Sequence, residues 1–150
     1  MTDTMLDIYN RLQQIHVLLD DGDRRSLNDA NLSSPQYHLL LHLDTKGGEK
    51  GLAVTELANL MICTRSNATR LVQRLEQQGL VKLTRGTEDR RVVRVALTPE
   101  GHASFVKAQE LHRAAVKRRF SALPHAQLEV LADLTETFVK ALESDLASQK

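Results

Sequence analysis

Residues 65–78 hold the side chains best suited to chemistry with a polyanion. At 100° per residue, Ala68, Leu71, Val72 and Leu75 fall on one face of a helix, with Ser66, Arg70, Gln73 and Gln77 opposite. Asn67, Thr69 and Arg74 flank that outward face, and Glu76 lies at its edge. Arg, Gln, Asn, Ser and Thr hydrogen-bond base edges and phosphates, whereas an ordinary solvated helix mixes Glu with Lys. A second basic cluster follows at Arg85, Arg90, Arg91 and Arg94. Between residues 53 and 98 there are eight basic and four acidic side chains, although the chain carries only +1 overall. Residues 1–32 hold three basic and six acidic ones. A basic segment in a near-neutral chain implies a local polyanion contact.

The elements that must position these groups follow from periodicity and caps. Met5, Ile8, Leu12, Ile15 and Leu19 alternate spacings of three and four, one stripe of a helix over 4–20. The polar run DDGDRRSLNDAN is expected to weaken or end it. A helix starts at Ser33-Ser34-Pro35, where Ser caps and Pro fits the first turn. Lys46–Gly51 reads as a flexible loop. Thr55 is expected to cap a short helix from Glu56 to about Met61, and Thr64 the helix 65–78. Gly79 suits a left-handed C-terminal position, with Leu80 folding back. LVKLT (80–84) and RVVRVAL (91–97) flank RGTEDR as a hairpin, in which a carboxylate, of Glu88 or Asp89, can hold a neighbouring Arg and aim it. Thr98-Pro99-Glu100 starts a helix to about Phe120. After Leu123-Pro124 another carries Leu128, Leu131, Leu134, Phe138, Leu142 and Leu146 on one face. With five aromatic residues and no Trp, the core must be aliphatic. The expected class is therefore mainly α with a small β-hairpin wing.

A short helix, a turn and the helix 65–78 make a helix-turn-helix, whose second helix enters the major groove, with the Arg-bearing hairpin beside it. The order of motifs resembles the MarR (multiple antibiotic resistance regulator) family. MICTRSNATRLVQRLEQQGLV (61–81) is similar to that family's LGVSRSTVTRLVDRLEARGLV, Asp89-Arg90-Arg91-Val92-Val93-Arg94 to its D-x-R-x-x-R wing signature, and Leu97-Thr98-Pro99-Glu100-Gly101 to its L-T-x-x-G. Ile62 stands where relatives often have Gly.

The resemblance implies one MarR-like domain over 1–150: a winged helix-turn-helix module at about 34–98, and interlocking dimerisation helices at about 4–27 and 99–147. It implies a homodimeric repressor on a pseudo-palindromic DNA operator. Arg65, Ser66, Asn67, Thr69, Arg70, Gln73 and Arg74 would form the recognition surface, and Arg85, Asp89, Arg90, Arg91 and Arg94 the wing. In the strand, Arg94 has a structural ion pair as its alternative. A small aromatic or phenolic anion would bind a cleft lined by Tyr9, His16, Tyr37, His38 and Arg113.

Cys63 reads as a buried packing residue, with redox sensing the alternative. His38 and His112 match two ligand positions of zinc-sensing relatives, but the other ligands have no match, so neither metal nor cofactor is expected. No catalytic signature appears, and the acidic, interrupted N-terminus is neither a signal peptide nor a membrane span. The expectation is a cytoplasmic regulator that is not an enzyme.

Overall fold

A computed structural model describes residues 2–149. Its elements are α1 (Thr2–Leu27), a 3₁₀ turn (Asn28–Ala30), α2 (Ser34–His42) running into a π turn (Leu43–Gly47), β1 (Leu52–Ala53), α3 (Val54–Leu60), α4 (Arg65–Gln77), β2 (Val81–Arg85), β3 (Val93–Leu97), α5 (Pro99–Phe120) and α6 (His125–Ser148). The chain forms two compact units, one up to Arg113 and one from Ala114 onward.

In the first unit, Leu39 and Leu40 of α2, Leu57 of α3, Val72 and Leu75 of α4, Val95 of β3 and Phe105 of α5 bury their side chains in one core. Removing such side chains from water supplies about 1.5–3 kcal/mol each. The caps match the local sequence. Ser33 Oγ accepts from the Gln36 amide at 3.3 Å, and Gln36 Oε1 accepts from the Ser33 amide at 2.9 Å, a reciprocal box. Thr64 Oγ1 accepts from the Asn67 amide at 3.1 Å.

Three local expectations are corrected. First, α1 does not stop in the polar run: Asp21 pairs with Arg24 and Arg25 one turn away, and Leu27 is buried beyond them. Second, the N-cap of α3 is Ala53, not Thr55. Glu56 Oε2 reaches back to accept from the Ala53 amide at 2.7 Å, so a carboxylate in the first turn holds the cap residue in place of a capping hydroxyl. Third, Lys46–Gly51 is built rather than loose. Gly47 and Gly51 are buried, and Gly51 has φ +71°. A Cβ on Gly51 would lie 2.0 Å from the Val95 carbonyl oxygen. That close approach lets β1 pair with β3, giving an antiparallel sheet in the order β1-β3-β2 with Leu52 opposite Val95 and Thr84 opposite Arg94.

In the second unit α6 is capped by Pro124, and none of its residues is buried. No described helix is long and apolar enough to cross a membrane.

Candidate nucleic-acid interface

Helix α4 sits on the core through Ala68, Val72 and Leu75, which orients everything else on it. Arg65, Ser66, Asn67, Arg70, Gln73 and Arg74 are exposed, as the 3.6-residue period requires. Arg70 Nη2 donates to Asn67 Oδ1, so these two side chains are joined into one polar unit near the helix start. Thr69 is half-buried and its hydroxyl donates to the Arg65 carbonyl at 2.8 Å, so that group is engaged with its own helix.

The C-terminal end of α4 is locked by contacts that explain the Leu-Thr-x-x-Gly run. Gly79 (φ +73°) donates to the Glu76 carbonyl at 2.9 Å, and Leu80 to that of Leu75 at 3.0 Å. Thr98 then works in two directions. Its hydroxyl donates to the Gly79 carbonyl at 2.6 Å and accepts from the Gly101 amide at 3.0 Å. A Cβ on Gly101 would lie 1.8 Å from the Leu80 carbonyl oxygen, so only glycine lets α5 start against the end of α4. The angle of α4 is thereby tied to α5.

In the hairpin, Arg85, Asp89, Arg90 and Arg91 are exposed around the turn. Gly86 donates to the Val92 carbonyl at 2.8 Å, closing the loop. Asp89 does not grip an Arg side chain as expected. Its Oδ1 accepts from the Arg91 amide at 2.9 Å, a two-residue Asx turn that shapes the tip and leaves the guanidinium groups of Arg90 and Arg91 at the surface. Arg94 is half-buried, and its Nη1 donates to the Gly51 carbonyl at 3.0 Å. It braces β1 onto the sheet through a carbonyl, not through the ion pair weighed as its alternative.

A cleft of about 630 Å³ opens between α2 and the polar side of α4. Asp20 of α1 and Ser34, His38 and His42 of α2 line one side, and Asn67, Arg70 and Arg74 of α4 the other. Of the expected cleft residues Tyr9, His16, Tyr37, His38 and Arg113, only His38 lines it. Tyr37 points into the core, stacked on Phe105 at 5.9 Å and tilted against His112 at 4.9 Å, and burial pushes its phenol above the ordinary range. Tyr9 and His16 lie on exposed positions of α1, and Arg113 is exposed on α5. Arg70 and Arg74 are the outward arginines expected from the sequence to face DNA; that they also wall a cleft depends on how α2 packs. An Nδ1–H of His38 donates to the Ser34 carbonyl at 2.8 Å. Burial, then Lys46 and His38, hold the pKa of His42 below its ordinary value.

Cys63 is half-buried beside the core, its amide donating to the Ala58 carbonyl at 3.0 Å. Among the described residues, no group of three or more His, Cys, Asp or Glu is placed to hold a metal ion.

Residues 32–93, the span of these elements, match the profile of the MarR family. The HTH-type transcriptional repressor MdtR of Bacillus subtilis (strain 168) is 30% identical over 141 residues, covering 94% of this chain and 89% of that protein. The chain belongs to the MarR family. Its fold is accordingly the winged helix-turn-helix of MarR transcription regulators. Sco3205 of Streptomyces coelicolor, a MarR family regulator solved in complex with DNA, superposes with a TM-score of 0.80 at 28% identity, covering 90% of this chain and 88% of that one. CouR of Rhodococcus jostii RHA1, solved bound to p-coumaroyl-CoA, gives 0.75 at 25% identity, with coverages of 88% and 91%. These relatives are regulators of transcription rather than enzymes.

Proposed function

We propose that this MarR-family regulator binds a pseudo-palindromic DNA operator as a homodimer and represses transcription until a small anion releases it. The observation that carries the reading is the exposed face of α4, where Ser66, Asn67, Arg70, Gln73 and Arg74 stand with no carboxylate among them. The Arg70–Asn67 unit offers the planar donors that read base edges, Arg65 and Arg74 are phosphate contacts, and Arg90 and Arg91 of the wing tip serve the minor groove. Sco3205 in complex with DNA supports this use of the fold.

The module at about 34–98 is read as the DNA-binding part, and the helices at about 4–27 and 99–147 as the dimerisation part. Met5, Ile8, Ile15 and Leu19 on α1, and Leu131, Leu134, Phe138, Leu142 and Leu146 on α6, are exposed in stripes. Apolar patches of that size call for a partner, and a second copy matches two recognition helices to half-sites one DNA turn apart. The effector we favour is an aromatic or phenolic anion in the cleft between α2 and α4. There it would meet Arg70 and Arg74, and so bias the pose of the recognition helix. CouR bound to p-coumaroyl-CoA supports an aromatic effector. We read the protein as cytoplasmic and without a catalytic role.

Fluorescence-anisotropy titration of duplex from the chain's own upstream region, against a scrambled duplex at two salt concentrations, tests the reading. Tight, sequence-preferring, salt-sensitive binding at two subunits per site is expected. Equal weak binding to that duplex, its scrambled control and duplexes selected from a random pool would overturn it.

A further inference from the structure

Ile62, in the turn between α3 and α4, is badly placed for the sake of the fold. Its φ is +52°, and its side chain is 91% exposed. Among the described residues, Asn31 is the other non-glycine at positive φ, and Asn tolerates that region. A β-branched side chain does not, because its Cβ crowds the following carbonyl oxygen. Nor does the strain bring burial, since the side chain reaches into water rather than core. The turn would form more easily with Gly or Asn, so folding alone does not account for Ile62. Strained residues collect at ligand-contacting sites, held there by the surrounding structure.

The place of Ile62 indicates the ligand. It lies two residues before Thr64, the N-cap of α4, and Arg65, Ser66 and Asn67 follow, all exposed. The neighbours Met61 and Cys63 pack toward the core, so the turn projects this one side chain outward. When the second helix of a helix-turn-helix lies in the major groove, its N-terminal residues meet the base edges, so an exposed side chain on the turn just before them stands beside the same groove. An aliphatic side chain makes no hydrogen bond there. The apolar group that the major groove offers is the 5-methyl of thymine.

We propose that Ile62 is a specificity residue that packs against the 5-methyl group of a thymine in each operator half-site. The inference rests on the DNA-binding reading of α4. Its test uses the full-length protein and a duplex selected from a random pool, in which each thymine is replaced singly by deoxyuridine; this removes the methyl group and nothing else. The wild type should lose about fourfold in affinity at one thymine per half-site, the worth of one buried methyl group. Ile62→Gly and Ile62→Asn should bind the thymine and uracil duplexes equally, and should raise Tm by about 2–4 °C as the backbone strain is relieved. Indifference of the wild type to every uracil would overturn the proposal. So would variants that keep the methyl preference, or variants that melt below the wild type, which would mean that Ile62 packs against its own chain. If the wild type selects no duplex at all, the DNA-binding reading falls and takes this inference with it; selection without methyl dependence removes Ile62 alone.

Discussion

Helices α4 and α6 are both amphipathic, but their finished and unfinished faces are reversed. α4 covers its apolar stripe with its own chain, burying Ala68, Val72 and Leu75, and offers water a polar face. No residue of α6 is fully buried, and Leu134 and Phe138 are 63% and 45% exposed. A polar face can remain in water until DNA replaces that water, at no cost to the free protein. An apolar face of that length cannot, because every exposed methylene forgoes about 0.8 kcal/mol of burial. In the proposed reading the first helix is complete and waits for DNA, and the second is incomplete and waits for a second subunit.

The comparison breaks most visibly at α6. Leu134→Asp with Phe138→Asp should weaken subunit association by about 1000-fold or more, because two carboxylates would have to be desolvated in the interface. Analytical ultracentrifugation reads the mass, and operator binding should be lost with the dimer. If the variant stays dimeric, the partner for that face is not a second copy. Next in size is Leu75→Ala in α4, where the side chain is fully buried. A loss of about 2–5 kcal/mol in urea unfolding is expected, set by how far the cavity collapses. The same truncation at exposed Leu134 should cost far less in a monomeric variant.

Within the interface the contrast sharpens at about 1–3 kcal/mol. Arg70→Ala should relax the preference at one base position per half-site by that amount. Arg74→Ala or Arg91→Ala should instead weaken binding to all duplexes and flatten the salt dependence by about one phosphate contact per subunit. A uniform loss on Arg70→Ala would remove its base-reading role.

The smallest expected effect concerns the cleft between α2 and α4. His42 has its folded pKa lowered by burial, with Lys46 and His38 adding to it, so the neutral ring is the form that fits. Its contribution is complete above its ordinary pKa of 6.5 and is lost as pH falls through that value toward the lower folded one. Tm measured between pH 7.5 and 5.5 should fall less for His42→Gln than for the wild type. Equal slopes would mean that His42 makes no such contribution.

The contacts legible in the sequence were those made by residues a turn or a hairpin apart. The caps at Ser33 and Thr64, the left-handed Gly79, the strands on either side of RGTEDR and the polar face of α4 follow from i to i+3 or i+4 spacing and from period-two alternation, which any stretch of chain carries in itself. Tertiary structure decided whatever depended on segments far apart. β1 is two residues long and exists only because β3 approaches Gly51 closely enough to pair. Arg94 turns to a carbonyl 43 residues away, and Tyr37 of α2 stacks on Phe105 of α5. The cleft itself is a gap between α2 and α4, defined by where both helices settle on one core. The chemistry of each side chain is set by its type, whereas which of them face the same space is set by packing.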